Sequence, residues 1–211
     1  MLAVRVIPCL DVLGGRVVKG VRFQGLEDAG APDVLAGKYE RQGADEITLL
    51  DVSATPEGRS TAYETVRKVR ARLALPLTVG GGVRSANDAG ALLDAGADKV
   101  GVNTAAVDRP EILGEMASRF GSQCTVLALD AASRGDGSWE VVTLSGRRRT
   151  GMDAVEWARE AALRGAGEIL LTSWDRDGTK QGYDLDLVSA VASVVEVPIV
   201  FTERRAGASK M

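Results

Sequence analysis

The stretch Q-G-A-D-E-I-T-L-L-D at residues 42–51 decides the fold, because a similar stretch, R-G-A-G-E-I-L-L-T-S, stands at residues 164–173. The offset between the two copies is 122 residues (from 42 to 164), and L-P-L-T-V-G-G-G at 75–82 recurs at the same offset as V-P-I-V-F-T-E-R at 197–204. A glycine that ends a helix precedes the apolar strand in both copies of the first stretch. The repeat predicts one barrel domain over 1–211, with an N-terminal half-barrel at 1–120 and a C-terminal one at 121–211.

Short β-branched runs alternate with amphipathic stretches along the chain, and this alternation with short loops indicates a parallel sheet. Two similar halves favour a closed (β/α)8 barrel over a doubly wound sheet. The first strand is also followed by D-V-L-G-G at 11–15 rather than by G-x-G-x-x-G. The predicted strands are 4–10, 46–51, 77–79, 99–102, 125–130, 168–172 and 199–201, and a small hairpin from Trp139 is expected after the fifth. The predicted helices are 32–42, 60–73, 86–95, 110–120, 153–164 and 185–194.

Composition excludes several classes of function. The net charge is −3 and the basic residues are scattered apart from Arg147–Arg149, which gives no footprint for nucleic acid. No run approaches the roughly 20 apolar residues that span a bilayer, and the N-terminus lacks a signal-peptide layout. Cys9 and Cys124 lie in apolar runs and are expected to be reduced core residues, so we expect a cytoplasmic protein.

The chain contains no histidine. This excludes Ser–His and Cys–His nucleophilic machinery and any metal site that uses histidine ligands. Proton transfer must therefore depend on carboxylates, lysine or a small polar group.

Two carboxylates stand at strand ends, which is where a barrel carries its chemistry. Asp11 follows the first predicted strand and Asp130 the fifth. In an eight-stranded ring these positions face each other across the mouth, and the pair can act as general acid and general base. Capping of the next helix is the alternative role for each residue.

A glycine turn at 80–82 follows the third predicted strand. Its backbone N–H groups can approach an anion closely, and the next helix adds the field of its N-terminus. Asn103 and Thr104 end the adjacent strand and offer further donors, so the two loops predict one phosphate site; a tight structural turn is the alternative. The polar stretch T-S-W-D-R-D-G-T at 172–179 is expected to contact substrate, or to form only a β-turn.

Charged residues also lie near the starts of the strands, at the opposite face of the predicted barrel. They are Arg5, Glu46, Lys99 and Glu168. Two bases and two acids can form a ring of ion pairs where the barrel axis reaches this face. Ordinary solvated side chains are the alternative.

Several long motifs resemble one known family. They include V-I-P-C-L-D-V, L-T-V-G-G-G-V-R, G-A-D-K-V-G-V-N-T-A-A-V and G-A-G-E-I-L-L-T-S-W-D-R-D-G-T-K-Q-G-Y-D. They are similar to the cyclase subunit of imidazole glycerol phosphate synthase, an enzyme of histidine biosynthesis, from the first residue to about Val200. The sister isomerase of the pathway shares the half-barrel repeat, but the last motif fits the cyclase better.

The resemblance implies a ribulose-phosphate-binding type of (β/α)8 barrel and a lyase or cyclase that needs no metal or cofactor. Ammonia from a glutaminase subunit is joined to a ribonucleotide with a phosphate at each end, and the products are imidazole glycerol phosphate and aminoimidazole carboxamide ribotide. Asp11 and Asp130 match the acid–base pair, Arg5, Glu46, Lys99 and Glu168 match a gate for ammonia, and Asp98 lies on the face that docks the glutaminase. The expected substrate and phosphate contacts, which include Gly81 from the glycine turn, are Lys19, Gly81, Gly82, Asn103, Thr104, Ser145, Thr172, Asp177 and Gly178.

The sequence departs from the family after the seventh predicted strand. F-T-E-R-R at 201–205 stands where the family has a glycine-rich turn for the second phosphate. We therefore expect a barrel of about seven βα units without its last helix and strand, with impaired activity and open edges that self-associate. A non-catalytic barrel fragment that binds phosphate or the glutaminase is the alternative.

Overall fold

The structure is a computed structural model that describes residues 4–21, 24–54, 63–179 and 181–202. It has an α/β architecture in which helices pack on a mostly parallel sheet. The strands are β1 (Cys9–Leu13), β2 (Arg16–Val21), β3 (Gln24–Gly30), β4 (Ile47–Asp51), β5 (Leu77–Gly80), β6 (Lys99–Val102), β7 (Thr125–Ser133), β8 (Trp139–Thr143), β9 (Arg148–Asp153), β10 (Glu168–Ser173) and β11 (Ile199–Thr202). The helices are α1 (Pro32–Arg41), α2 (Tyr63–Arg70), α3 (Ala86–Asp94), α4 (Thr104–Asp108), α5 (Glu111–Phe120), α6 (Ala154–Leu163) and α7 (Leu185–Ala192).

The parallel strands lie side by side in the order β1-β4-β5-β6-β7-β10-β11. Antiparallel β2 and β3 extend the sheet beyond β1, and the hairpin β8–β9 hangs from β7. Neighbouring parallel strands are joined through helices, so their carboxyl ends meet at one edge of the sheet. This edge carries the loops that can form a site.

Local sequence signals explain where the helices begin and end. Asp153 caps α6, since its Oδ1 accepts hydrogen bonds from the backbone N–H groups of Val155 and Glu156 at 2.9 and 3.0 Å. Gly165 follows α6 with φ +117, and an added Cβ would lie 2.7 Å from the Cβ of Ala117. A glycine is therefore required there both for the left-handed backbone and for the close approach of α5.

The core lies between the sheet and its helices. The inner positions of β4, β7 and β10 are fully buried, as are the apolar faces of α3, α5 and α6. Its largest side chains include Ile47, Leu127, Leu171, Leu92 and Trp157. Complete burial of one such side chain contributes about 1.5–3 kcal/mol.

The expected order of parallel strands is confirmed, with differences at particular elements. The first strand begins at Cys9 rather than at residue 4, although the carbonyl of Pro8 accepts a hydrogen bond from the Thr48 N–H at 2.9 Å. Strands β2 and β3 and helix α4 were not predicted. Cys9 and Cys124 are only half-buried, so the prediction of core positions for them was wrong.

The ring of strands is not closed among the described residues, where β11 pairs with β10 and β1 pairs with β2 and β4. A cavity of about 850 Å³ separates β1 from β11. Val4 and Val6 at its margin are 90% and 63% exposed. The division into half-barrels at 120 stays a prediction. The first residues of the expected helix 60–73, and residues 203–205 of the departing turn, lie outside the described residues.

No helix in the described part of the chain combines the length and the apolar character needed to cross a membrane.

Candidate active site

A cavity of about 440 Å³ opens at the carboxyl ends of β4, β5, β6, β7 and β10. The tip of the β8–β9 hairpin forms part of its wall. The cavity brings together seven of the residues expected to bind or transform substrate, namely Gly81, Gly82, Asn103, Thr104, Asp130, Ser145 and Thr172.

The glycine turn after β5 packs directly against the end of β4. Gly81 and Gly82 have φ values of +94 and +73. A Cβ on Gly81 would lie 2.1 Å from the backbone oxygen of Asp51, so no side chain fits. The turn leads into α3, which Ser85 caps by accepting a hydrogen bond from the Asp88 N–H at 3.2 Å. Turn and helix start therefore present backbone at the cavity wall, as the prediction of an anion site requires.

A hydrogen bond joins Asn103 to Asp130. The Asn103 Nδ2 donates to Asp130 Oδ2 at 3.1 Å and to the carbonyl of Val142 at 3.2 Å. The bond to Val142 fixes the Asn103 amide on β8. The bond to Asp130 therefore positions the Asp130 carboxylate. Asp130 is half-buried within β7, and its carboxylate is placed for proton transfer inside the cavity.

The hairpin tip is tied to two loops of the N-terminal half. The backbone N–H of Leu144 donates to Thr104 Oγ1 at 3.1 Å, and Ser145 Oγ donates to the carbonyl of Val52 at 2.9 Å. Because the Thr104 oxygen accepts here, its own hydroxyl hydrogen is available to an acceptor in the cavity. The Thr104 hydroxyl is thus placed as a donor to an anion, whereas the Ser145 hydroxyl would first have to leave the Val52 carbonyl.

Other expected site residues lie outside this cavity. Asp11, buried in β1, and Lys19 of β2 line the larger cavity between β1 and β11. Strands β4, β5 and β6 stand between Asp11 and Asp130 in the sheet, and the two carboxylates line different cavities.

Asp177 and Gly178 line neither cavity. Asp177 is 1% exposed, and its backbone N–H donates to the carbonyl of Ser173 at 2.9 Å. This turn therefore closes locally after β10. Thr172 does reach the smaller cavity, and its Oγ1 lies 2.8 Å from Thr202 Oγ1 on β11.

The four charged residues at the amino ends of the strands form a closed ring of ion pairs. Arg5 Nη1 lies 3.0 Å from Glu46 Oε2, and Arg5 Nη2 lies 3.0 Å from Glu168 Oε2. Lys99 Nζ lies 2.9 Å from Glu46 Oε2 and 3.0 Å from Glu168 Oε1. The hydrogen bond to Glu168 holds the pKa of Arg5 above its usual value. The spatial ring is thus confirmed, and the alternative of separate solvated side chains is wrong.

Asp98 lies at the same end of the sheet as this ring, just before β6. Its Oδ2 accepts a hydrogen bond from the Leu77 N–H at 2.8 Å and lies 3.3 Å from Arg70 Nη2. Half of the side chain stays exposed, so it remains accessible to a partner.

The charged residues of the smaller cavity that were not among the expected site residues are Asp51, Arg84, Arg109 and Asp108. Asp51 is buried, and its Oδ1 accepts hydrogen bonds from the Ser53 and Ala54 N–H groups at 3.3 and 3.1 Å. Arg84 and Arg109 add positive charge to the wall. Two of them could have been predicted from their sequence positions, since Asp51 ends a predicted strand and Arg84 follows the glycine turn. Arg109 reaches the cavity from beyond α4, a helix that was not predicted.

These features define an α/β protein of the barrel type, with a polar cavity at the carboxyl ends of its parallel strands. A family model described as "Histidine biosynthesis protein" matches residues 5–202. Two relatives, each named imidazole glycerol phosphate synthase subunit HisF, come from Streptomyces avermitilis and Streptomyces coelicolor. Each is 58% identical over 199 residues, which cover 94% of this chain and 79% of the relative. The chain belongs to the histidine biosynthesis protein family.

Removal of the lysine from the ion-pair ring tests its contribution to stability. In Lys99→Met, the buried carboxylates of Glu46 and Glu168 lose a shared cation, and we expect a loss of about 3–5 kcal/mol. Chemical denaturation followed by circular dichroism measures the change. Lys99→Arg keeps the charge and should lose much less. Equal stability of Lys99→Met and the parent chain would contradict a structural role for the ring.

Proposed function

We propose that this chain is the cyclase subunit of an imidazole glycerol phosphate synthase in histidine biosynthesis. The main support is the cavity that brings the glycine turn, Thr104 and Asp130 together. The chain is also 58% identical to a relative named as this subunit. The relatives favour the cyclase over the sister isomerase. A cytoplasmic location is part of the same proposal.

The substrate is a ribonucleotide with a phosphate at each end. One phosphate binds at the glycine turn, where backbone N–H groups and the Thr104 hydroxyl act as donors. Arg84 and Arg109 contribute positive charge at this end of the cavity. We propose that the other phosphate binds toward Asp177 and Gly178, in the turn that follows β10, the strand that carries Thr172.

Ring formation from ammonia requires proton transfer at two nitrogens. A base takes the proton that the attacking nitrogen loses, and an acid supplies a proton to the departing nitrogen. Asp130, held by Asn103, and Asp11, on the other side of β4–β6, are the carboxylates proposed for these steps. Lys19 lines the same cavity as Asp11 and contacts the substrate there.

Ammonia enters from the opposite end. The ring of Arg5, Glu46, Lys99 and Glu168 lies at the amino ends of the strands, opposite the edge of the sheet that carries the smaller cavity. We propose that it is the gate through which ammonia from the glutaminase subunit passes. Its ion pairs keep bulk water out of the interior until the gate opens.

A non-catalytic role is the second candidate, and two observations favour it. Asp11 and Asp130 line different cavities, and among the described residues β11 is not paired with β1. A chain in this arrangement can bind phosphate or a partner without aligning both carboxylates on one substrate.

Turnover of the ribonucleotide with ammonium salts separates the two candidates. We expect the parent chain to form imidazole glycerol phosphate, and Asp130→Asn to be slower by about 10²–10⁴-fold, because it loses an acid–base group. Asp11→Asn should show a similar loss. Substrate binding by calorimetry without any turnover in the parent chain would instead support the non-catalytic role.

Docking of a glutaminase subunit can be tested at Asp98. Its exposed side chain lies on the face of the ion-pair ring, so Asp98→Lys should weaken binding to the glutaminase of a relative by tenfold or more, because the charge is reversed. Biolayer interferometry measures the affinity. Asp98→Asn is the matched control, since it keeps an acceptor for the Leu77 N–H. Unchanged affinity in Asp98→Lys would place the interface elsewhere.

We also propose that the chain self-associates along the edges that face the cavity between β1 and β11. The exposed Val4 and Val6 support this, because apolar open edges favour pairing with another chain. Light scattering at increasing concentration should show dimers, and Val4→Lys should shift the mass toward the monomer. A monomeric parent chain at all concentrations would overturn self-association.

A further inference from the structure

We propose that Trp174 is a positioning residue. It holds the tip of the β8–β9 hairpin, residues Leu144, Ser145 and Gly146, so that Thr104 and Ser145 face a phosphate in the smaller cavity. This inference rests on the proposed function, because it concerns how the same phosphate site is assembled.

The hairpin tip has a backbone that needs external support. Leu144 and Ser145 have φ values of +56 and +53, and Gly146 follows with φ +86. The turn is closed by a bond of 3.3 Å from the Arg147 N–H to the Leu144 carbonyl. L-residues rarely adopt the left-handed region and persist there only when their surroundings hold them.

Two sides of the tip are held by different parts of the chain. On one side are the bonds from Leu144 to Thr104 and from Ser145 to Val52. On the other side the indole of Trp174 lies against Gly146, where an added Cβ would be 1.9 Å from Cη2 of the ring. The tip is thus clamped between loops of the N-terminal half and the loop after β10.

The backbone that carries the indole is anchored. The backbone N–H of Trp174 donates to the carbonyl of Ala131 at 2.8 Å. The next residue, Asp175, accepts a hydrogen bond from the Ser133 N–H at 2.6 Å through its Oδ2. Both anchors lie on β7. They hold the loop at Trp174 in place, so the indole stays against Gly146.

This clamp has a consequence for anion binding. With Leu144 donating to it, the Thr104 oxygen directs its own hydrogen away from the hairpin, toward an acceptor in the cavity. Ser145 can exchange the Val52 carbonyl for a phosphate oxygen by rotating its hydroxyl, without moving its backbone. Loss of the indole releases the tip, and both donors then lose their orientation.

The alternative is that the indole only fills space, as aromatic rings on glycine often do. In that case its removal lowers the melting temperature, but the folded protein binds phosphate as before. The affinity of the folded chain therefore separates positioning from packing.

Two pairs of variants test the clamp in the full chain, with inorganic phosphate as the probe in calorimetry. Trp174→Ala removes the ring, whereas Trp174→Phe keeps an aromatic ring but lacks the outer atoms Cη2, Cζ3 and Cζ2 that lie against the glycine. Gly146→Ala displaces the ring, and Gly137→Ala is its matched control, because φ at Gly137 is +84 and nothing lies within 4 Å of an added Cβ. Thermal melts confirm that each variant is folded.

We expect Trp174→Ala and Gly146→Ala to weaken phosphate binding about tenfold, the size of one hydrogen bond to a charged group. Trp174→Phe should have a smaller effect than Trp174→Ala, and Gly137→Ala should stay within about twofold of the parent chain. With the ribonucleotide, KM should rise more than kcat falls, since the lost contacts serve binding.

A folded Trp174→Ala that binds phosphate as tightly as the parent chain would overturn the clamp and leave the proposed function intact. If that variant does not fold, the difference between Gly146→Ala and Gly137→Ala decides in the same way. A parent chain that neither binds phosphate nor turns over the ribonucleotide would overturn both the clamp and the proposed phosphate site.

Discussion

The parallel register of the central strands is the constraint on which the rest of this structure depends. Each strand from β4 to β7, and then β10, hydrogen-bonds its neighbour in the same direction, so the loops that follow them collect at one edge. The glycine turn packs on the Asp51 carbonyl because β4 and β5 end side by side. The same register places Glu46, Lys99 and Glu168 together at the other edge, where their charges compensate one another. One geometric rule thus produces both the cavity and the ion-pair ring.

Features that repeat or that lie at strand ends could be predicted from the sequence, whereas contacts between distant loops could not. The offset copies of G-A-x-E-I and the glycine turn identify strand ends directly, because backbone conformation is a local property. Strand β1 was expected too early, since the apolar run before it includes Pro8, which has no N–H to donate to a ladder. The contact of Trp174 with Gly146 joins loops that lie 28 residues apart in the sequence (from 146 to 174). No sequence pattern in either loop predicts it. Arg109 was missed for a related reason, because it depends on where α4 ends.

Side chains from the ends of the neighbouring strands β6 and β7 meet at the cavity. Asn103 and Thr104 come from the end of β6, whereas Asp130 and Ser145 belong to β7 and the hairpin that follows it. The bonds from Asn103 to Asp130 and from Leu144 to Thr104 cross this boundary. A site shared in this way requires both parts to be folded at once, so a ligand that binds there would stabilise the contact between them.

The ion-pair ring has a consequence for which solutes can pass it. Its two carboxylates and two cations sum to zero formal charge, and each carboxylate already contacts both Arg5 and Lys99. An arriving cation therefore finds no uncompensated negative charge, and an arriving anion finds no uncompensated positive one. Ions would have to shed their hydration at this point without a counter-charge to replace it. As the gate proposed above, the ring would discriminate by charge, in favour of small neutral molecules.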